Sequence, residues 1–143
     1  MRALGSSLAA LALAACGPAN PAVGTPPLDH ALYLRTVESV LEQRCAVPSC
    51  HGNPRRPLAT YATDRYRMDP SRLRLPEAIS PEEVAANERS ASAFAVGITN
   101  AADSMLITKS LGTVFHQGGV VWGSVDDPEC QAVLAWLRSG GLR

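Results

Sequence analysis

The chain has 143 residues, 46% of them hydrophobic and only 5% aromatic, with 13 Lys and Arg against 13 Asp and Glu and a formal net charge of zero. That balance supplies no general field to draw the protein to nucleic acid, which is recognised through a basic surface. The length suits a single modest domain, and no internal repeat or second long apolar run divides it.

Residues 1–16, MRALGSSLAALALAAC, carry one arginine and then a run of Ala and Leu too short for a permanent membrane span, and they read as an export signal. Leu13-Ala14-Ala15-Cys16 has the form of a bacterial lipobox. The expectation is a signal peptide over 1–15 and a diacylglycerol on Cys16. Gly17 in place of Asp points, by analogy with enteric lipoproteins, to an outer-membrane anchor facing the periplasm. Residues 16–27, rich in Pro and Gly, read as an extended tether. Loss of Arg2 with the signal leaves 12 basic (13 less one) and 13 acidic side chains.

The domain occupies residues 28–143. Leu32, Tyr33, Val37, Val40 and Leu41 recur at helical spacing behind a capping Asp29, which predicts an amphipathic helix to about Arg44 with Cys45 at its end. Between Gly52 and Ser80, Arg55, Arg56, Arg65, Arg67, Arg72 and Arg74 face only Asp64, Asp69 and Glu77. This stretch reads as a solvated connection, or else as a positive surface that pairs carboxylates of a partner or a cofactor. Ser80-Pro81-Glu82-Glu83 carries a capping box and opens a helix to about Ala95. A short helical piece over 102–109 carries Met105, and His116 precedes a Gly118-Gly119 turn. Asp127-Pro128-Glu129 opens a last helix with Val133, Leu134, Trp136 and Leu137 on its apolar side, and Gly140-Gly141 ends it. The sum is a mainly α domain with long loops.

The chemistry concentrates in RCAVPSCHG, Arg44 to Gly52. With Cys16 lipidated, three thiols remain, Cys45, Cys50 and Cys130, and an odd number in an exported chain means that not all are paired. Three readings stand open. Cys45 and Cys50 could hold a haem through two thioethers with His51 as proximal iron ligand, although the usual spacing between the thiols is two residues and here it is four. They could instead close a small disulfide, or bind zinc together with two of His51, His116 and Cys130. Given a haem, the sixth ligand falls to His116, ahead of Met105 and Met68. Cys130, in the first turn of the last helix, reads as a small buried residue.

The order of the pieces resembles the small planctomycete-type cytochrome c domains, also abundant in myxobacteria. The resemblance rests on Cys50-His51-Gly52 after the first helix, Ser104, Leu106 and Lys109, then His116, Gly118 and Gly119, and finally Leu134, Trp136, Leu137 and Gly140 in the closing helix. It covers most of residues 28–143, with the Leu134 to Trp136 spacing one residue tighter than in the family. It implies a cytochrome c-like helical domain whose N- and C-terminal helices pack together around a covalent haem c. It also implies one-electron transfer with redox partner proteins of the cell envelope, and the lipid anchor would supply the contact with the membrane. No Ser/His/Asp set, working carboxylate pair or phosphate-cradling glycine loop suggests an enzyme, and the acidic residues read as helix caps or polar-face residues.

Overall fold

The computed structural model describes residues 23–143, so the signal segment, Cys16 and the tether up to residue 22 lie outside the described part. Among the described residues the secondary structure is entirely helical, with no strand. Four helices carry the fold. The first, α1, spans 30–45 as a continuous helix in which α-helical turns alternate with two wider π-helical ones, Tyr33–Val37 and Leu41–Cys45. Its start is fixed by Asp29, whose carboxylate accepts from Leu32 N at 2.8 Å, and it ends where Ala46 N donates to Leu41 O at 3.1 Å.

The second helix, α2, is Pro81–Ser92, and the capping box expected at Ser80 and Glu83 is formed. It stops at Ser92, and Ala93–Ala95 continues as a 3-10 turn. The short piece expected over 102–109 is a 3-10 turn, Ala101–Asp103, followed by α3, Met105–Thr108, with Ser104 capping the latter. The last helix, α4, is Pro128–Ser139, capped by Asp127.

The core forms where the N-terminal half of α1 lies on α4, with Tyr33 and Trp136 fully buried and their rings 5.2 Å apart. Val37, Leu41, Ile107, Val133, Leu134 and Leu137 belong to it. Apolar burial of this kind contributes about 1.5–3 kcal/mol per large side chain. The end of the tether joins this packing: at Gly140 an added Cβ would press on the Leu28 and Pro26 side chains, which would have to shift.

Within the Arg-rich stretch over 52–80, much of it exposed as expected of a solvated connection, Arg67 departs from that expectation. Arg67 is 1% exposed and forks onto the Glu83 carboxylate with nitrogen–oxygen distances of 2.8–3.1 Å, while its other donors reach Glu77 O and Ala78 O at 3.0 Å. Arg65 donates to Glu42 O at 2.8 Å, and Arg72 pairs with Glu77. A segment with too few aliphatics to bury itself is thus organised by guanidinium forks, which match carboxylate and carbonyl geometry. Glu38 departs from the polar-face role expected of the acidic residues, while Glu83 keeps its capping role and is besides buried. Glu83 is the buried partner of Arg67, and Glu38 lies in the core, where its carboxylate accepts from Asn87 Nδ2 at 2.8 Å.

Candidate functional site

The last turn of α1 carries Cys45 to the edge of a cleft of about 620 Å³. Beyond it the chain folds back sharply: Cys50 N donates to Val47 O at 2.8 Å, Gly52 N to Val47 O at 3.0 Å and His51 N to Cys45 O at 3.2 Å. The four residues between the two thiols are taken up in this turn, and Cys45, Cys50 and His51 all line the cleft. Gly52 is required by the fold-back. A Cβ there would collide with the carbonyl of Ala46 and come within 3.1 Å of Pro48 N.

His51 is oriented by its own loop. Its Nδ1 lies 2.9 Å from Leu58 O, and a carbonyl only accepts, so Nδ1 carries the hydrogen and Nε2 is left with the lone pair. Burial holds the imidazole below its ordinary pKa, helped by the positive charges of Arg56 and Lys109 and by His116, and opposed by the Leu58 hydrogen bond. Both effects favour the neutral ring, whose Nε2 is then free to accept.

His116 stands across the same cleft, its ring centre 6.1 Å from that of His51 and the two planes 20° from parallel. It is oriented in the same manner, with Nδ1 donating to Gly119 O at 2.8 Å across a turn in which Gly119 takes a φ of 79°, a left-handed value that favours glycine. Each imidazole thus has one nitrogen tied to a backbone carbonyl and the other left for a ligand, the usual arrangement of a metal-binding histidine.

Met105 lines the cleft as well and is 54% exposed. Met68 does not. It borders a separate, much smaller hollow beside Glu83. Cys130 is fully buried in the core, where burial raises its thiol pKa further, and it does not line the cleft. Cys45, Cys50 and Cys130 are all free thiols, and burial pushes that of Cys45 up to about 11. Among the described residues no group of three or more His, Cys, Asp or Glu side chains is gathered to hold a metal ion.

Of the rest of the wall, Leu58, Phe94 and Phe115 were not singled out by sequence reading, and Leu41, Leu106 and Val133 were named only for helix packing or the family motif. Leu41, Leu58, Phe94, Leu106 and Val133 form an apolar lining, and Phe115, 84% exposed, stands at the rim. The available signal was adjacency: Phe115 directly precedes His116. Chemically, the cleft offers two thiols, two neighbouring imidazoles and a partly apolar lining, side chains of the types that bind metals and cofactors.

Comparison of the chain with protein-family models, with curated proteins and with solved structures returns no match.

Proposed function

We propose that the chain is an exported, lipid-anchored, monohaem c-type cytochrome that carries single electrons in the cell envelope. The observation that carries this reading is the pair of imidazoles 6.1 Å apart across a cleft that two thiols also line. Two imidazoles bound to one metal ion from opposite sides, each at about 2 Å, place their ring centres about 6 Å apart. In this reading Cys45 and Cys50 would hold the ring by thioethers and His51 and His116 would bind its iron, with Leu58 O and Gly119 O fixing the two imidazoles.

A bound haem supplies a one-electron couple, and the chain's task is to tune it. The apolar walls keep water from the ring, and a second imidazole sets a lower potential than a thioether would. Phe115 and Met105, exposed at the mouth, would meet a redox partner protein. The packing of α1 on α4 is in keeping with a cytochrome c-like fold. Cys16, with the signal before it, would supply the lipid anchor, in the outer membrane facing the periplasm.

The test of the axial assignment is the absorption spectrum of protein matured with haem. His116→Ala is expected to convert a low-spin spectrum to high spin while haem stays attached, and Met105→Ala to leave it low spin. The reverse pattern would transfer the sixth position to Met105, and a colourless wild-type protein would end the reading.

A further inference from the structure

Helices α1 and α4 are tied at both ends, and they run antiparallel. Asp29 N, just ahead of α1, donates at 2.8 Å to Ser139 Oγ at the end of α4. At the other end Arg44, next to Cys45, forks onto Glu129 in the first turn of α4 at 2.9–3.1 Å. Pro26 and Leu28 lie against Gly140, so the chain that arrives from Cys16 meets the domain where α1 begins and α4 ends. Cys45 and Cys50 line the cleft at the opposite end, where Glu129 also accepts at 3.2 Å from the indole of Trp122 in the cleft wall. The rings of His51 and His116 meet there, and Phe115 precedes His116, so the exposed Phe115 belongs to the same end. The helix from 30 to 45 puts roughly 20–24 Å between the two ends.

We propose that the cleft mouth around Phe115 is turned away from the membrane that holds Cys16, so that the partner it meets is a water-soluble protein and not one embedded in the same bilayer. The proposal rests on the lipid anchor of the reading above and adds to it the orientation of the domain. The anchor draws the end of the domain at Pro26 and Gly140 toward the lipid. To lay Phe115 on the bilayer instead, residues 16–25 would have to run back along the length of α1, which takes most of the roughly 35 Å that ten residues span at full extension. Stretching a chain to that degree costs conformational entropy, whereas the opposite orientation asks nothing of it.

The test uses the mature full chain with its lipid, inserted into preformed vesicles of phosphatidylethanolamine and phosphatidylglycerol, and a bulky amine-reactive polyethylene glycol that does not cross the bilayer. Lys109 is the only lysine of the chain, and its Nζ lies 2.9 Å from Phe115 O, so its amine reports on the cleft mouth. Arg138→Lys adds a second amine on the exposed side of the last turn of α4, at the tether end. Labelling at each position is followed by peptide mass and compared with the same chain exported as Cys16→Ser, which carries no lipid. Anchoring is expected to leave the rate at Lys109 unchanged and to slow the rate at position 138 several-fold. Protection of Lys109 with position 138 left open would overturn the proposal and put the mouth on the lipid surface. Equal effects at the two positions would overturn it as well, since the domain would then have no preferred orientation. A wild-type chain that neither gains the mass of the lipid nor floats with the vesicles would overturn the anchor and the orientation together, while leaving the haem reading standing.

Discussion

Replacing Arg67 with Met removes one partner from an ion pair whose side chains are 0% and 3% exposed and leaves the Glu83 carboxylate buried. Breaking a buried pair from one side costs about 3–5 kcal/mol, because the remaining charge has lost its counter-ion. The lower end applies here, since Met68 N at 2.6 Å and Ser80 N at 2.8 Å still donate to Glu83. The expected loss is about 3 kcal/mol at pH 7, a large part of the stability of an ordinary domain. Burial alone would raise the Glu83 pKa, but the Arg67 guanidinium and the two backbone donors hold it below the ordinary carboxylate value of 4.5. A depressed carboxylate contributes stability that is present above that ordinary value and lost as pH falls through the folded one. In the variant this contribution shrinks, so the gap between wild type and variant is widest at neutral pH and narrows below about pH 4. It does not close, because the bonds from Arg67 to Glu77 O and Ala78 O are lost at every pH. Urea denaturation at pH 7 and at acid pH measures both effects. The double variant Arg67→Met with Glu83→Gln should recover part of the loss, as no buried charge is then left unpaired. A loss below about 1 kcal/mol at pH 7, the scale of an exposed pair, would refute the reasoning.

Gly52→Ala should disrupt the turn that presents Cys50 and His51, since the new Cβ meets backbone at Ala46 that has no room to retreat; the expected result is a sharp drop in the fraction of protein carrying haem after maturation, measured as the ratio of Soret to protein absorbance. Glu38→Gln should act in the opposite sense to the Arg67 variant. Burial raises the Glu38 carboxyl pKa against the nearby Tyr33 hydroxyl and the hydrogen bond from Asn87, and a raised carboxyl contributes stability present below its unfolded value and lost as pH rises through the folded one. The amide variant should therefore match wild type near pH 4 and melt at a higher temperature at pH 7, as thermal denaturation at the two values would record. Trp136→Ala, which empties the centre of the α1–α4 contact, should cost about 3–5 kcal/mol in urea denaturation.

The helices were legible in the sequence because their signals are local. Asp29, Ser80 and Asp127 cap as their positions predicted, and the spacing of Tyr33, Val37 and Leu41 marked the buried face of α1. The site was legible in part. Cys45, Cys50 and His51 are neighbours in the chain, and His116 was marked by the Gly-Gly turn that follows it, but nothing local says that the two histidines face one cleft. The Arg-rich stretch misled at Arg67 because composition reports polarity and not pairing. Arg67 and Glu83 are sixteen residues apart, and only the fold brings the guanidinium into the interior beside its carboxylate. Glu38 was hidden for the same reason: its partner Asn87 lies on another helix, 49 residues on. The buried Tyr33 hydroxyl lies beside this carboxylate without a well-formed hydrogen bond, a polar cluster that helical spacing alone would have filled with apolar side chains.

The central claim is that Cys45 and Cys50 carry one haem, and the most direct measurement is the mass of the tryptic peptide Cys45–Arg55 from protein matured in a periplasm with cytochrome c maturation active. Two thioethers predict that this peptide gains the full mass of haem, keeps it through acid and organic solvent, and has no alkylatable thiol. A peptide without haem that is two hydrogens lighter, or one in which both thiols alkylate, would contradict the account.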